Sequence, residues 1–177
     1  MPSGDRHAPA AGQVALIEAF WLQYQRACDV KVEGFSASAL GHTRALADAL
    51  AELVAAGIKR AHASLRRDFQ QSLEPLPKPH EHLVVLDGDG RPVAIVRTRH
   101  VELRHFNEID DAFAFEAGEG DMSLAWWLTA HRQDFAERAE REGFEMGEKT
   151  ELVLEYFERM WPETAVATPH RSSSSAS

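Results

Sequence analysis

The hydropathy pattern of this chain predicts an α+β fold, with helices packed around a small and mostly antiparallel sheet or barrel. Three observations carry that expectation. Apolar residues recur at three-four spacing in two early segments and in one late segment. Between them the period changes to short apolar runs on either side of Asp87-Gly88-Asp89-Gly90, the residue types of a hairpin turn. Strand and helix signals do not alternate regularly, which argues against a doubly wound parallel sheet.

The elements follow in order. Val14 to Ala27 reads as a helix with Leu16, Ala19, Phe20, Gln23 and Tyr24 on one face, and Gly34-Phe35-Ser36 breaks the pattern. His42 to Ala56 reads as a second helix buried through Leu46, Ala49, Leu50, Leu53 and Val54. Gly57 stops it by taking the left-handed conformation just past the last turn. Leu83–Leu86 and Pro92–Leu103 are the strands of the hairpin, with Arg97 and Arg99 expected on one strand face. Ser123 to Glu142 reads as a third helix with Leu124, Trp127, Leu128, His131 and Phe135 on its apolar side and Gly143 at its end. Glu151–Phe157 alternates as a closing strand.

The 177 residues suit one core. Residues 1–12, rich in Pro, Ala and Gly, and 163–177, ending in a serine run, are expected to be disordered, leaving one domain over 13–162. No apolar run approaches the roughly 20 residues a bilayer requires. The N-terminus lacks the basic-then-apolar order of a secretory signal. Cys28 is the only cysteine, so an internal disulfide and a multi-Cys zinc site are excluded, and the cytoplasm is the expected compartment. His80-x-His82 has only Glu81 beside it as an oxygen ligand, and neither a metal nor a cofactor is expected.

A net charge of −9 argues against coating nucleic acid by charge alone. Yet Gly57 to His105 carries nine Lys/Arg against six Asp/Glu, a local excess that includes Arg66, Arg97 and Arg99. This is either ordinary surface fluctuation or a basic mouth for a short anionic ligand.

Two segments could bear chemistry. Lys59 stands two residues past the helix-ending Gly57, either in solvent or in a partly apolar pocket where desolvation would lower its pKa. Glu119 and Asp121 are interleaved with Gly118 and Gly120 immediately before Ser123 and a helix. Asp121 or Ser123 can cap that helix, while the glycines permit close backbone approach. Glu119 could hold Lys59 or a ligand, and Ser123 could donate to an anion or act as a nucleophile. Trp127 and His131, four apart, share a face that is either core or a platform for an unpaired base.

The run from Leu46 to Lys59 with its Gly-x-Lys, then Pro75-Leu76-Pro77-Lys78, Val85 to Pro92, and Glu119 to Trp127 with His131, resemble in order the motifs of the ASCH domain family, in its long bacterial form. The resemblance spans about Phe20 to Met160. It implies a PUA-like β-barrel surrounded by α-helices, with Lys59 and Glu119 on two sides of one polar pocket. It also implies an association with RNA: as a binding module, a ribonuclease, or an amidohydrolase acting on N4-acetylcytidine. In the amidohydrolase type a threonine nucleophile follows the lysine by three residues; here that position is His62, and Ala117 stands where long-form relatives often carry a further glutamate. Ser64 and Ser123 are the other hydroxyls in the motifs. The expected partner is therefore RNA or a modified nucleoside. A metal-independent ribonuclease would use Lys59, Glu119 and Ser123, with His62, Ser64, Arg66, Arg97, Arg99, Asp121, Trp127 and His131 around the ligand. A non-catalytic binder would use the same residues.

Overall fold

The hairpin announced by the Asp-Gly-Asp-Gly turn is the centre of the sheet. In the computed structural model, which describes residues 10–163, β3 (His82–Leu86) pairs antiparallel with β4 (Pro92–His105). The Asp87 carboxylate locks the turn by accepting the N–H groups of Asp89 and Arg91, each at 2.9 Å. β4 then pairs along its length with β5 (Glu151–Trp161), and β5 with β2 (Ala61–Leu65). β1 (Ser36–Ala39) lies parallel to β3, giving the order β1-β3-β4-β5-β2. Register shifts near Ile95 and Arg99 bend the long strands, and the five-stranded sheet curls into a half-barrel.

Alternation along the strands divides the interior. Val84 and Ile95 face α1 (Ala11–Cys28) through Ile17, Trp21 and Tyr24. Their neighbours Val85, Ala94 and Val96 join Phe157 on the opposite face, against Leu50, Ala51 and Val54 of α2 (Arg44–Ala55). A third cluster joins Ala61, Ala63 and Leu65 of β2 with Leu152 and Leu154. It is closed by Phe113 of α4 (Asp111–Ala117) and by Trp127 and Phe135 of α5 (Leu124–Glu142). A two-turn helix, α3 (Arg66–Ser72), and a single 3-10 turn at Phe106–Glu108 complete the chain.

The helical stripes need two corrections. α1 buries Ile17, Trp21 and Tyr24, whereas Leu16 is 54% exposed and Ala19 and Gln23 also face outward. The large rings decide this: Trp21 stacks on Phe35 at 4.8 Å and meets the His82 ring edge-on. In α2, Ala47 and Ala51 are buried in place of Ala49. α5 follows its expected stripe, from Ser123 at the cap to Gly143 at the end. α1 begins at Ala11, two residues before the expected domain start, and most of the two segments expected to be disordered lies outside the described residues.

Arg97 and Arg99 do not share a setting. Arg99 is the extra residue between Thr98 and His100 where the register shifts, so the bulge redirects it toward α4, while Arg97 pairs with Glu158.

His82 gives the α1 contact a pH dependence. It is buried with Nε2 3.3 Å from the Tyr24 hydroxyl, and burial, then the Arg97 charge, hold its pKa below the usual histidine range. Below about pH 6.5 the unfolded chain therefore binds a proton that folded His82 refuses, and stability falls with pH by up to about 1.4 kcal/mol per unit. Urea denaturation from neutral to mildly acidic pH should show a smaller loss in His82→Gln than in the wild type.

Candidate functional site

Two glycine turns packed back to back build the site. α2 ends at Gly57 (φ +75°), where the Arg159 guanidinium donates to the Ala55 carbonyl. The N–H groups of Ile58 and Lys59 both return to Leu53 O, at 3.0 and 3.1 Å, which fixes the direction in which the chain leaves. α4, capped by Asp110, ends at Gly118 (φ +68°). A Cβ on Gly118 would stand 2.5 Å from the Ile58 carbonyl oxygen, so only glycine permits this approach. Arg60 N–H donates to Glu116 O at 2.7 Å and closes the seam.

That seam places Lys59 and Glu119, sixty positions apart, in one buried ion pair. Lys59 is 1% exposed, and its ammonium donates to Glu119 Oε1 at 2.6 Å, Ala61 O at 2.7 Å and Ala117 O at 3.3 Å. Three hydrogens meet three acceptors, which is how a buried ammonium is tolerated. The other carboxylate oxygen lies 3.2 Å from His131 Nε2. His131 Nδ1 lies 3.0 Å from Trp127 O, and the imidazole stacks on the Trp127 indole at 3.9 Å. Both ring nitrogens thus face acceptors, a demand that only the imidazolium meets in full. Burial pulls the other way: it lowers the pKa of His131 and of Lys59 against the opposing charge of Glu119. For His62 burial, Lys59 and His131 act together, and its pKa falls well below the usual value. Glu119 thus holds Lys59 on one oxygen and His131 on the other, while burial disfavours the charged form of both bases.

This arrangement can be set against known proteins. A family model described as the ASCH domain matches residues 36–160. The chain belongs to the ASCH domain family. A solved ASCH domain from Lactobacillus crispatus JV V101 is 34% identical, with a TM-score of 0.74, covering 82% of this chain and 94% of that one. A protein from Enterococcus faecalis V583 is 26% identical at the same TM-score, covering 82% of this chain and 88% of that one. No curated protein matches. The ASCH domain is a PUA-like domain commonly associated with RNA binding.

The remaining expected site residues fall in different places in this ASCH domain. His62 and Ser64 project from the face of β2 opposite its buried Ala61, Ala63 and Leu65. The His62 Nδ1 is enclosed without a partner. Opposite His62 in the ladder stands Glu155, which accepts the Thr98 hydroxyl at 2.6 Å and whose pKa is raised by burial. Sequence reading missed both, although a lone carboxylate within the apolar Leu152–Phe157 run was a signal. Ser123 caps α5, its hydroxyl accepting Trp126 N–H at 3.1 Å, and Asp121 accepts Ser123 N–H at 2.9 Å. Ser123 therefore fills the capping role, and Asp121 braces the residue that caps. Trp127 is 1% exposed between Phe106 and Phe113 and belongs to the core, so its indole is not a free platform. Trp126, 39% exposed, lies against Gly120.

The arginines disperse. Arg66 pairs with Glu151 at the end of the sheet and Arg97 with Glu158, whereas Arg99 and Arg60 share Glu116 beside the Lys59 seam. Phe115, 54% exposed, has the Arg60 guanidinium 5.6 Å from its ring centroid. His82 is turned toward Tyr24, and among the described residues no three His, Cys, Asp or Glu side chains are grouped to hold a metal. No helix among the described residues is long and apolar enough to cross a membrane.

Proposed function

We propose that this ASCH domain binds unpaired RNA across the surface of Phe115, Arg60 and Arg99, beside the buried Lys59–Glu119–His131 set. The observation that supports this most is the exposed Phe115 ring with the guanidinium of Arg60, the residue directly after Gly-x-Lys, beside it. A nucleobase can stack on Phe115 whatever its sequence, while Arg60 and Arg99 meet the adjoining phosphates. Trp126, whose ring lies against Gly120, offers a second exposed aromatic surface. Two or three phosphate contacts fit a short single strand better than a long duplex, in keeping with the acidic body. The working compartment on this reading is the cytoplasm.

A second reading, metal-independent cleavage, is favoured by one observation: the His131 imidazole, 15% exposed, stands on the outer oxygen of Glu119 with the enclosed Lys59 holding the inner one. Attack by the RNA's own 2′-hydroxyl on phosphorus forms a cyclic phosphate and expels the 5′-oxygen. It requires only a base to take one proton and an acid to return one. Such a route needs no protein hydroxyl. Amidohydrolysis does need a nucleophile, and the Ser123 hydroxyl is engaged in its cap.

One experiment separates these readings. Fluorescent single-stranded RNA titrated in EDTA should bind saturably, and Phe115→Ala should weaken binding about tenfold, as loss of one stacked base does. Unchanged affinity in Phe115→Ala, or preference for duplex, removes the proposed surface. RNA recovered intact from the wild-type mixture identifies a binder; products that are absent with Lys59→Ala identify the nuclease.

A further inference from the structure

We propose that α1 is a self-association helix, through which two copies of this chain pair antiparallel about a two-fold axis at Leu22. This inference is independent of the RNA reading, because α1 carries none of the Lys59, Glu119 and His131 contacts and lies outside residues 36–160, which the family model matches. α1 already satisfies its inner face with Ile17, Trp21 and Tyr24, yet its outer side is also apolar. Leu16 is 54% and Leu22 46% exposed, and the exposed Ala15 and Ala19 on the same side leave room for a second helix to approach closely. This side borders an open groove of about 590 Å³, lined by Leu16, Ala19, Phe20 and Leu22, with Arg91 and Pro92 on its far wall.

Charge selects the occupant. Among the described residues, the charged side chains lining the groove are Arg26 and Arg91, so the fitting partner is an apolar helix flanked by acid. α1 is itself such a helix. Glu18 and Arg26 each stand four residues from Leu22 and therefore share its face, both exposed. In an antiparallel pair centred on Leu22, position 18 of one copy falls opposite position 26 of the other. The symmetry makes this complementary contact twice. A groove open to an unrelated apolar peptide would not require the acid and the base to be equidistant from the exposed leucine.

Sedimentation equilibrium of the full chain across the micromolar range tests this. The wild type should form a reversible dimer, and Leu22→Asp should be monomeric throughout. Arg26→Glu should raise the dissociation constant about tenfold by placing like charges opposite each other twice. The double variant Glu18→Arg/Arg26→Glu should return to near the wild-type value, with unchanged circular dichroism confirming that the exposed substitutions leave the fold intact. A wild type that stays monomeric overturns the proposal, as does a dimer indifferent to Leu22→Asp. A double variant as weak as Arg26→Glu alone does the same.

Discussion

Gly118→Ala is expected to destabilise the ASCH domain by about 2–5 kcal/mol, a large part of the roughly 5–15 kcal/mol that holds a domain folded. Two separate costs combine. The residue sits at φ +68°, where a Cβ costs about 1–2 kcal/mol. The added carbon would also stand 2.5 Å from Ile58 O and 2.8 Å from Ile58 C, which are backbone atoms and cannot rotate away. Relief requires α4 to move off the Gly57–Lys59 turn, which pulls Glu119 from Lys59. Gly143→Ala separates the two costs. Gly143 has φ +73° but nothing within 4 Å of its would-be Cβ, so only the conformational cost remains. Parallel urea titrations should place Gly118→Ala well below Gly143→Ala. Equal losses would mean that the seam yields freely and does not position Glu119.

Glu119→Leu should cost a further distinct 3–5 kcal/mol, roughly the loss seen when one member of a buried ion pair is removed. The Lys59 side chain is fully enclosed, and without Glu119 its ammonium keeps two carbonyls but no counter-charge. Its pKa, already lowered by burial, then loses the opposing effect of Glu119 and falls further. The sign of the pH dependence follows. Between that folded value and the ordinary lysine range the unfolded chain binds the extra proton, so stability of Glu119→Leu should rise with pH. The loss relative to wild type should therefore shrink as pH rises toward the ordinary lysine value of about 10.4. Adding Lys59→Met to Glu119→Leu should recover much of the loss, since an apolar pair of similar volume has no charge to desolvate. A double variant no more stable than Glu119→Leu would show that Lys59 acts chiefly through its carbonyl contacts.

The same pair shows where sequence reading succeeds. Gly57 at a helix end, the Asp87–Gly90 turn and the stripe of α5 are local: each is set by backbone conformation or by periodicity within a few residues. Short elements escaped. β2 is five residues of Ala and Leu alternating with His and Ser, and α4 is seven residues, too few for a period to rise above composition. The α1 stripe was misplaced because spacing alone does not weigh Trp21 against Leu16; the contact with Phe35 and His82 does.

By itself the sequence determined the α+β class, the glycine ends of α2 and α5, the family motifs and the candidacy of Lys59, Glu119 and His131. It also placed His131 on the Trp127 face, since four residues is one helical turn. Only the tertiary structure decided that Lys59 points inward, that Trp127 is core while Trp126 is exposed, and that Arg97 and Arg99 part company at a bulge. The physical reason is range. Hydrogen bonds of turns and caps are satisfied by neighbours in sequence, but the Lys59–Glu119 contact spans sixty positions and exists only because Gly118 has no side chain to hold the two turns apart.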